Sequence, residues 1–248
     1  MELLPPGRVM PQRGMVAAAA VLALGIIVAA GIGAYAFYQV RSLDNTLSVT
    51  GSATQSVQAD AAKWSVSVMR SAFETTVPST QARVSSDAQA VVNFFATAGI
   101  AADKIRVSPV SVDQDYNSDA NAPKRYTIRE QVTVQSDNPE LIDKLSKDIG
   151  SLVGKGILVS ANQPEYYVST LPDIRVALIG QAVTDAKARA MEIASSTGQR
   201  VGALKSASSG VVQVMAPNSV DVADYGSYDT STIDKQVMVT ARATFFLK

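Results

Sequence analysis

The sequence contains no cysteine, no histidine and a single tryptophan. Without cysteine the fold has no disulfide to staple it and no thiolate nucleophile, and a direct peroxidase loses its reactive thiol. Without histidine, zinc sites built on Cys or His and every Ser-His or Cys-His nucleophile pair are excluded as well. Charge of one sign is also missing. Lys plus Arg and Asp plus Glu number 22 each in 248 residues, so no basic surplus exists to attract nucleic acid. No cofactor and no metal site are expected.

What the sequence does have is a stretch with no charge at all, Gly14 to Val40, mostly Ala, Val, Leu, Ile and Gly. A hydrocarbon layer about 30 Å thick needs roughly 20 apolar residues at helical rise, and lipid offers no partner to bare backbone, so this run reads as a transmembrane helix. Arg8 and Arg13 precede it, and Tyr35, Phe37 and Tyr38 lie at its far end. The positive-inside tendency then places residues 1–13 in the cytoplasm and the rest of the chain outside it. A cleaved signal peptide is the competing reading, since Ala34-Tyr35-Ala36 fits a small-x-small cleavage site. The apolar region is longer than the roughly 7–15 residues usual in a signal, which favours an uncleaved anchor. Within the run, Gly25, Ala29 and Gly33 recur every fourth residue, a stripe on which two membrane helices can pack closely.

Residues 41–46 form a short linker, and residues 47–248 make one extracytoplasmic domain. Leu47–Val57 and Lys63–Met69 read as strands, the second burying Trp64, Val66 and Val68 on one face. Pro78 opens a helix whose apolar side is Val84, Ala88, Val91 and Phe95, ending at Gly99. Strands follow at Lys104–Asp113 and Arg125–Gln135. Asn138-Pro139-Glu140 starts a helix that buries Leu141, Leu145, Ile149 and Leu152. Ile157–Ser169 reads as a strand. Thr170-Leu-Pro-Asp173, a capping-box pattern, opens the longest soluble helix, to about Thr197. Its ladder Ala182, Ala186, Ala190, Ala194 predicts an unusually close approach to the sheet, with Asp185 and Arg189 paired on the outer side. Val201–Lys205, Val211–Met215 and a final strand from Val237 to Leu247 complete the chain. Strands adjoin as hairpins, so the class is α+β, an antiparallel-rich sheet with helices on one face.

Several segments resemble one another's counterparts in a known family. Leu47-Ser-Val-Thr-Gly-Ser-Ala with Val57-Gln-Ala-Asp60 is similar to the opening of the SIMPL-domain family. The likeness continues through Gly99-Ile100, Ile105-Arg-Val-Ser-Pro-Val and Tyr126–Val134, and is clearest in Ala182-Val-Thr-Asp-Ala-Lys-Ala-Arg-Ala-Met-Glu-Ile-Ala194 with Gly198. These are bacterial envelope proteins, also described as periplasmic immunogenic or oxidative-stress-defence proteins. The resemblance implies a periplasmic α+β domain and ring- or channel-like homo-oligomers, and it brings no active site with it. The anchor departs from the family's soluble members.

Chemistry is scarce elsewhere. Asp113, Asp115, Asn117 and Asp119 imitate a calcium loop, but Ser118 and Lys124 stand where that loop needs glycine and glutamate. No Ser-x-x-Lys or Gly-x-Ser-x-Gly occurs, and Thr184-x-x-Lys187 falls in mid-helix. Methionines 69, 191, 215 and 238 fit core packing. The loop carrying Asp221, Asp224, Tyr225, Tyr228 and Asp229 is the candidate for a partner or oligomer contact. The expectation is a non-enzymatic protein of the bacterial inner membrane, partnered by the lipid bilayer and by copies of itself. The alternative is a monomeric module that binds an envelope partner or ligand.

Overall fold

The computed structural model describes residues 12–42, 45–116, 122–219 and 225–248. Helix α1 (Gln12–Ser42) extends two residues beyond the expected span at each end. Its apolar stretch Gly14–Gln39 has a mean hydropathy of 2.6, and none of that window is buried, so it is long and apolar enough to cross a membrane.

The soluble elements are β1 (Thr46–Gln58), β2 (Ala61–Phe73), α2 (Val77–Thr97), β3 (Ile105–Val107), β4 (Ser111–Gln114), β5 (Arg125–Ser136), α3 (Pro139–Asp148), α4 (Gly150–Gly154), β6 (Val159–Ala161), β7 (Glu165–Tyr167), α5 (Leu171–Ser196), β8 (Val201–Met215) and β9 (Asp234–Leu247). They form two antiparallel sheets, each with its helices on one face. One is ordered β1-β9-β8; the other runs β3-β5-β2-β6, with β4 against β5 and β7 against β2. The α+β class holds, with one correction: β1 and β2 do not pair as a hairpin. Ala59 and Asp60 pass the chain from one sheet to the other.

In the larger sheet, period-two alternation sends Trp64, Val66 and Val68 of β2 and Ile128, Val132 and Val134 of β5 inward. They meet Val84, Ala88, Val91 and Phe95 of α2, all essentially inaccessible. Each large side chain buried there contributes roughly 2 kcal/mol. The Trp64 ring meets Phe95 edge-on with centroids 5.5 Å apart, and its Nε1–H donates to the Asn162 carbonyl at 2.7 Å. Arg70 holds Asp87 at 2.6 Å, tying β2 to α2.

Four expectations change here. Lys104–Asp113 divides into β3 and β4 around Pro109, and Ile157–Ser169 into β6 and β7 around Pro164, because proline cannot donate to a ladder. The helix from Pro139 breaks after Asp148, so Ile142 is fully buried beside Leu145 and Leu152, while Leu141 and Ile149 are only partly covered. The Asn138 cap is as expected: its side-chain oxygen accepts from the Leu141 N–H at 3.0 Å.

In the smaller sheet, Ala182, Ala186, Ala190 and Ala194 of α5 are buried as a single row. Beneath them lie Gly51, Ala241 and Ala243. A Cβ on Gly51 would sit 2.2 Å from the Ala182 carbonyl oxygen and 2.3 Å from the Ala186 nitrogen, so helix and strand are in direct backbone contact. Small residues on both surfaces permit that approach. Asp185 and Arg189 pair at 2.8 Å as expected, but Asp185 is not on the outer side. Its carboxylate also accepts the Ser52 N–H at 2.8 Å, occupying a donor on the edge strand β1. Thr170 makes no side-chain cap, so the capping-box expectation fails. The two strands expected after Gly198 are one, β8, kept continuous by three register shifts against β9.

Candidate functional site

The two sheets are stitched together by the segment leading into β9. Tyr166 of β7 donates its N–H to the Thr230 carbonyl at 2.8 Å, Ala59 donates to Ile233 at 2.8 Å, and Asp229 donates to Val214 of β8 at 2.8 Å. At the centre of this seam Lys235 is fully buried, its ammonium donating to the Asp229 carbonyl and lying 3.4 Å from the Asp229 carboxylate. That carboxylate also accepts from the backbone and hydroxyls of Ser231 and Thr232. Burial by itself would raise the Asp229 carboxyl, but the bonds from Ser231 and Thr232 and the Lys235 charge outweigh it. The group is held well below the usual carboxylate range. Burial pushes Lys235 down from its ordinary value, against the pull of Asp229. Tyr228 lies beside them, its ring 5.8 Å from the Lys235 ammonium and its hydroxyl accepting the Val168 N–H at 2.8 Å.

Two clefts open on either side of this seam and share Pro217 and Asp234. One, of about 560 Å³, is lined by Ser56, Gln58, Asn218 and Gln236, with Gln58 donating to Asp234 at 2.9 Å. The other, of about 430 Å³, exposes Asp143, Gln163, Ser231 and Thr232. Asp143 is already paired with Lys147 at 2.6 Å. Burial and Asp143 push the Tyr166 hydroxyl up to about 12, and the bond to Glu165 does the same to Tyr167. That is the wrong direction for a tyrosinate nucleophile near neutral pH. Thr232 and Lys235 stand three residues apart, a spacing that could serve a Thr-Lys dyad. Both are bound to Asp229, and an ammonium so engaged is no general base. Among the described residues no group of three His, Cys, Asp or Glu side chains could hold a metal ion. The arrangement can hydrogen-bond a polar ligand or surface.

The contact loop expected from the sequence is thus divided. Tyr228 and Asp229 bond within the seam, though Tyr228 is still 39% exposed; Tyr225 is 96% exposed, and Asp221 and Asp224 lie outside the described residues. In the calcium-like stretch, Asp113 is exposed, Asp115 accepts the Thr127 hydroxyl at 2.7 Å, and Asn117 and Asp119 are again outside the described residues. On α1, Gly25 and Gly33 have nothing within 4 Å of an added Cβ, so the Gly25, Ala29, Gly33 stripe is uncovered. Among the described methionines only Met215 is buried, and Met191 is 54% exposed, which corrects its placement in the core.

Sequence reasoning missed Lys235. The signal was present: Lys235 continues the inward series Val237, Val239, Ala241 by period two, and a charge on a buried face requires a partner. Asp229-Thr-Ser-Thr232 also has the pattern in which an aspartate accepts from the backbone two and three residues on.

None of the curated proteins matches the chain. A family model described as SIMPL, protein of unknown function (DUF541), matches residues 47–245, from the second residue of β1 to two residues before the end of β9. The match runs across both sheets and the seam between them, and the chain belongs to the SIMPL family.

Proposed function

We propose that this is a non-enzymatic envelope protein, anchored by α1 in the bacterial inner membrane with its N-terminus cytoplasmic, whose SIMPL domain assembles into a ring- or cage-like homo-oligomer. The observation that carries the reading is α1 itself: a 26-residue span of mean hydropathy 2.6, with no part of the window buried against the domain. In water that surface would have to find cover, and a bilayer supplies it. Confining copies to one plane raises their effective concentration, so weak contacts between domains suffice. Two features support those contacts. The Gly25, Ala29, Gly33 stripe lets anchors pack, and β8 is an edge whose stretch Gly202–Gly210 pairs only with β9 among the described residues. Tyr225, 96% exposed, belongs to the loop that would join them. A link to envelope or oxidative stress follows from the family resemblance alone.

Mass photometry of the detergent-solubilised full chain, beside a shorter chain beginning near Leu47, tests the assembly. Discrete multiples for the full chain support it, and monomers in both reject it. The paired clefts around Asp234 favour a second reading, a monomeric adaptor for an envelope partner or ligand. A pull-down returning one stoichiometric partner on monomeric protein distinguishes the two.

A further inference from the structure

The distribution of charge on the smaller sheet is uneven along its length. Strands β1 and β8 contain no acidic residue, and the single one in β9, Asp234, is at its far end. The other end carries Arg200, Lys205 and Lys248, all exposed, while Arg242, six residues before Lys248, lies about 20 Å further along the exposed face. Arg200 and Lys248 are held together by reciprocal backbone hydrogen bonds of 2.8 Å, and the Lys248 stem crosses Gly202. The Lys205 ammonium lies 5.5 Å from the centroid of the half-exposed Phe246 ring, and Leu204 beside it is 47% exposed.

This cationic end is also where the anchor attaches. Asn45 is fixed there, its carbonyl accepting the Leu247 N–H at 2.9 Å, and α1 ends at Ser42. Three peptide steps span at most about 11 Å however they run. Arg200 and Lys248, next to Leu247 in the ladder, are therefore tethered close to whatever surface receives the end of α1. If that surface is a bilayer, its phosphates are the nearest anions, and partly exposed Phe246 and Leu204 suit the headgroup boundary.

We propose that this end of the β1-β9-β8 sheet is a docking surface for anionic lipid headgroups, seating the domain against the bilayer through Arg200, Lys205 and Lys248. The proposal rests on the membrane anchor of the proposed function. Docking fixes the domain's height and tilt, so that every copy presents the same edge to its neighbours, and it makes seating depend on lipid charge.

Because the chain has no cysteine, a Ser206→Cys substitution gives a unique attachment point for a fluorophore beside the patch, and Gln163→Cys gives one beyond the seam. The full chain is reconstituted in vesicles of phosphatidylcholine, alone or mixed with phosphatidylglycerol, that contain a headgroup-nitroxide lipid as quencher. The expected result is strong quenching at position 206 in the anionic vesicles and several-fold weaker quenching in the neutral ones. Quenching should fall likewise near 1 M salt, where the Debye length shrinks to about 3 Å. Position 163 should stay bright throughout. Combined Arg200→Glu, Lys205→Glu and Lys248→Glu substitutions should abolish the lipid dependence while the protein still floats with the vesicles. Equal quenching in both lipids, or quenching unaltered by charge reversal, overturns the docking and leaves the anchor intact. Protein that fails to float at all overturns the anchor, and the docking with it.

Discussion

Gly51 shows how one residue fixes the distance between two elements. Alanine there would place a methyl group 2.2 Å from a backbone oxygen and 2.3 Å from a backbone nitrogen of α5, atoms that cannot rotate away. The helix would have to lift. Gly51→Ala should therefore cost about 3 kcal/mol in urea unfolding, more than the fraction of a kcal/mol gained by restricting the unfolded chain. The Asp229–Lys235 pair makes a different prediction. A carboxylate held below its ordinary range contributes stability that is complete above about pH 4 and is lost as the pH falls from there. Asp229→Asn leaves Lys235 buried without its charge partner, and at pH 7 it should destabilise by about 3 kcal/mol. The gap in melting temperature between the two proteins should then narrow steadily below about pH 4. Dilute peroxide offers a third check. It should convert Met191, 54% exposed, to the sulfoxide well before Met215, 7% exposed, as read by peptide mass.

At the scale of elements, two helix starts that look alike in sequence behave differently. Asn138 accepts a backbone N–H and Thr170 does not. Asn138→Ala should lower stability by about 1 kcal/mol, whereas Thr170→Ala should stay within about 0.5 kcal/mol. The sequence pattern could not separate them, because capping depends on a rotamer and a backbone angle that tertiary contacts decide. Periodicity served best where burial is one-sided. The rows Val84, Ala88, Val91, Phe95 and Ala182, Ala186, Ala190, Ala194 were legible in full, since each is the only apolar row its helix buries. It failed in β8, where three bulges and a run of exposed Ser and Ala erase the alternation, and the strand exists because β9 pairs with it. The division into two sheets was hidden for the same kind of reason. Ala59-Asp60 has the length of a hairpin turn, and only long-range pairing shows that it is a crossing point. The candidate site was less legible than the fold: Asp229 was picked out as a loop residue, and Lys235, the buried charge it pairs with, was passed over.

At the scale of the molecule, a chain with neither imidazole nor thiol has two helix-covered sheets, a polar seam between them and an uncovered apolar helix at its N-terminal side. The seam's buried charged groups, Asp229 and Lys235, are bound to one another. The proposed assembly turns on whether α1 remains in the bilayer. The decisive measurement is the intact mass of the protein in alkaline-washed membranes and in the wash. Protein that stays with the membrane and retains its residues 14–39 is the predicted result. A mature form beginning at Phe37 and recovered in the wash would contradict it.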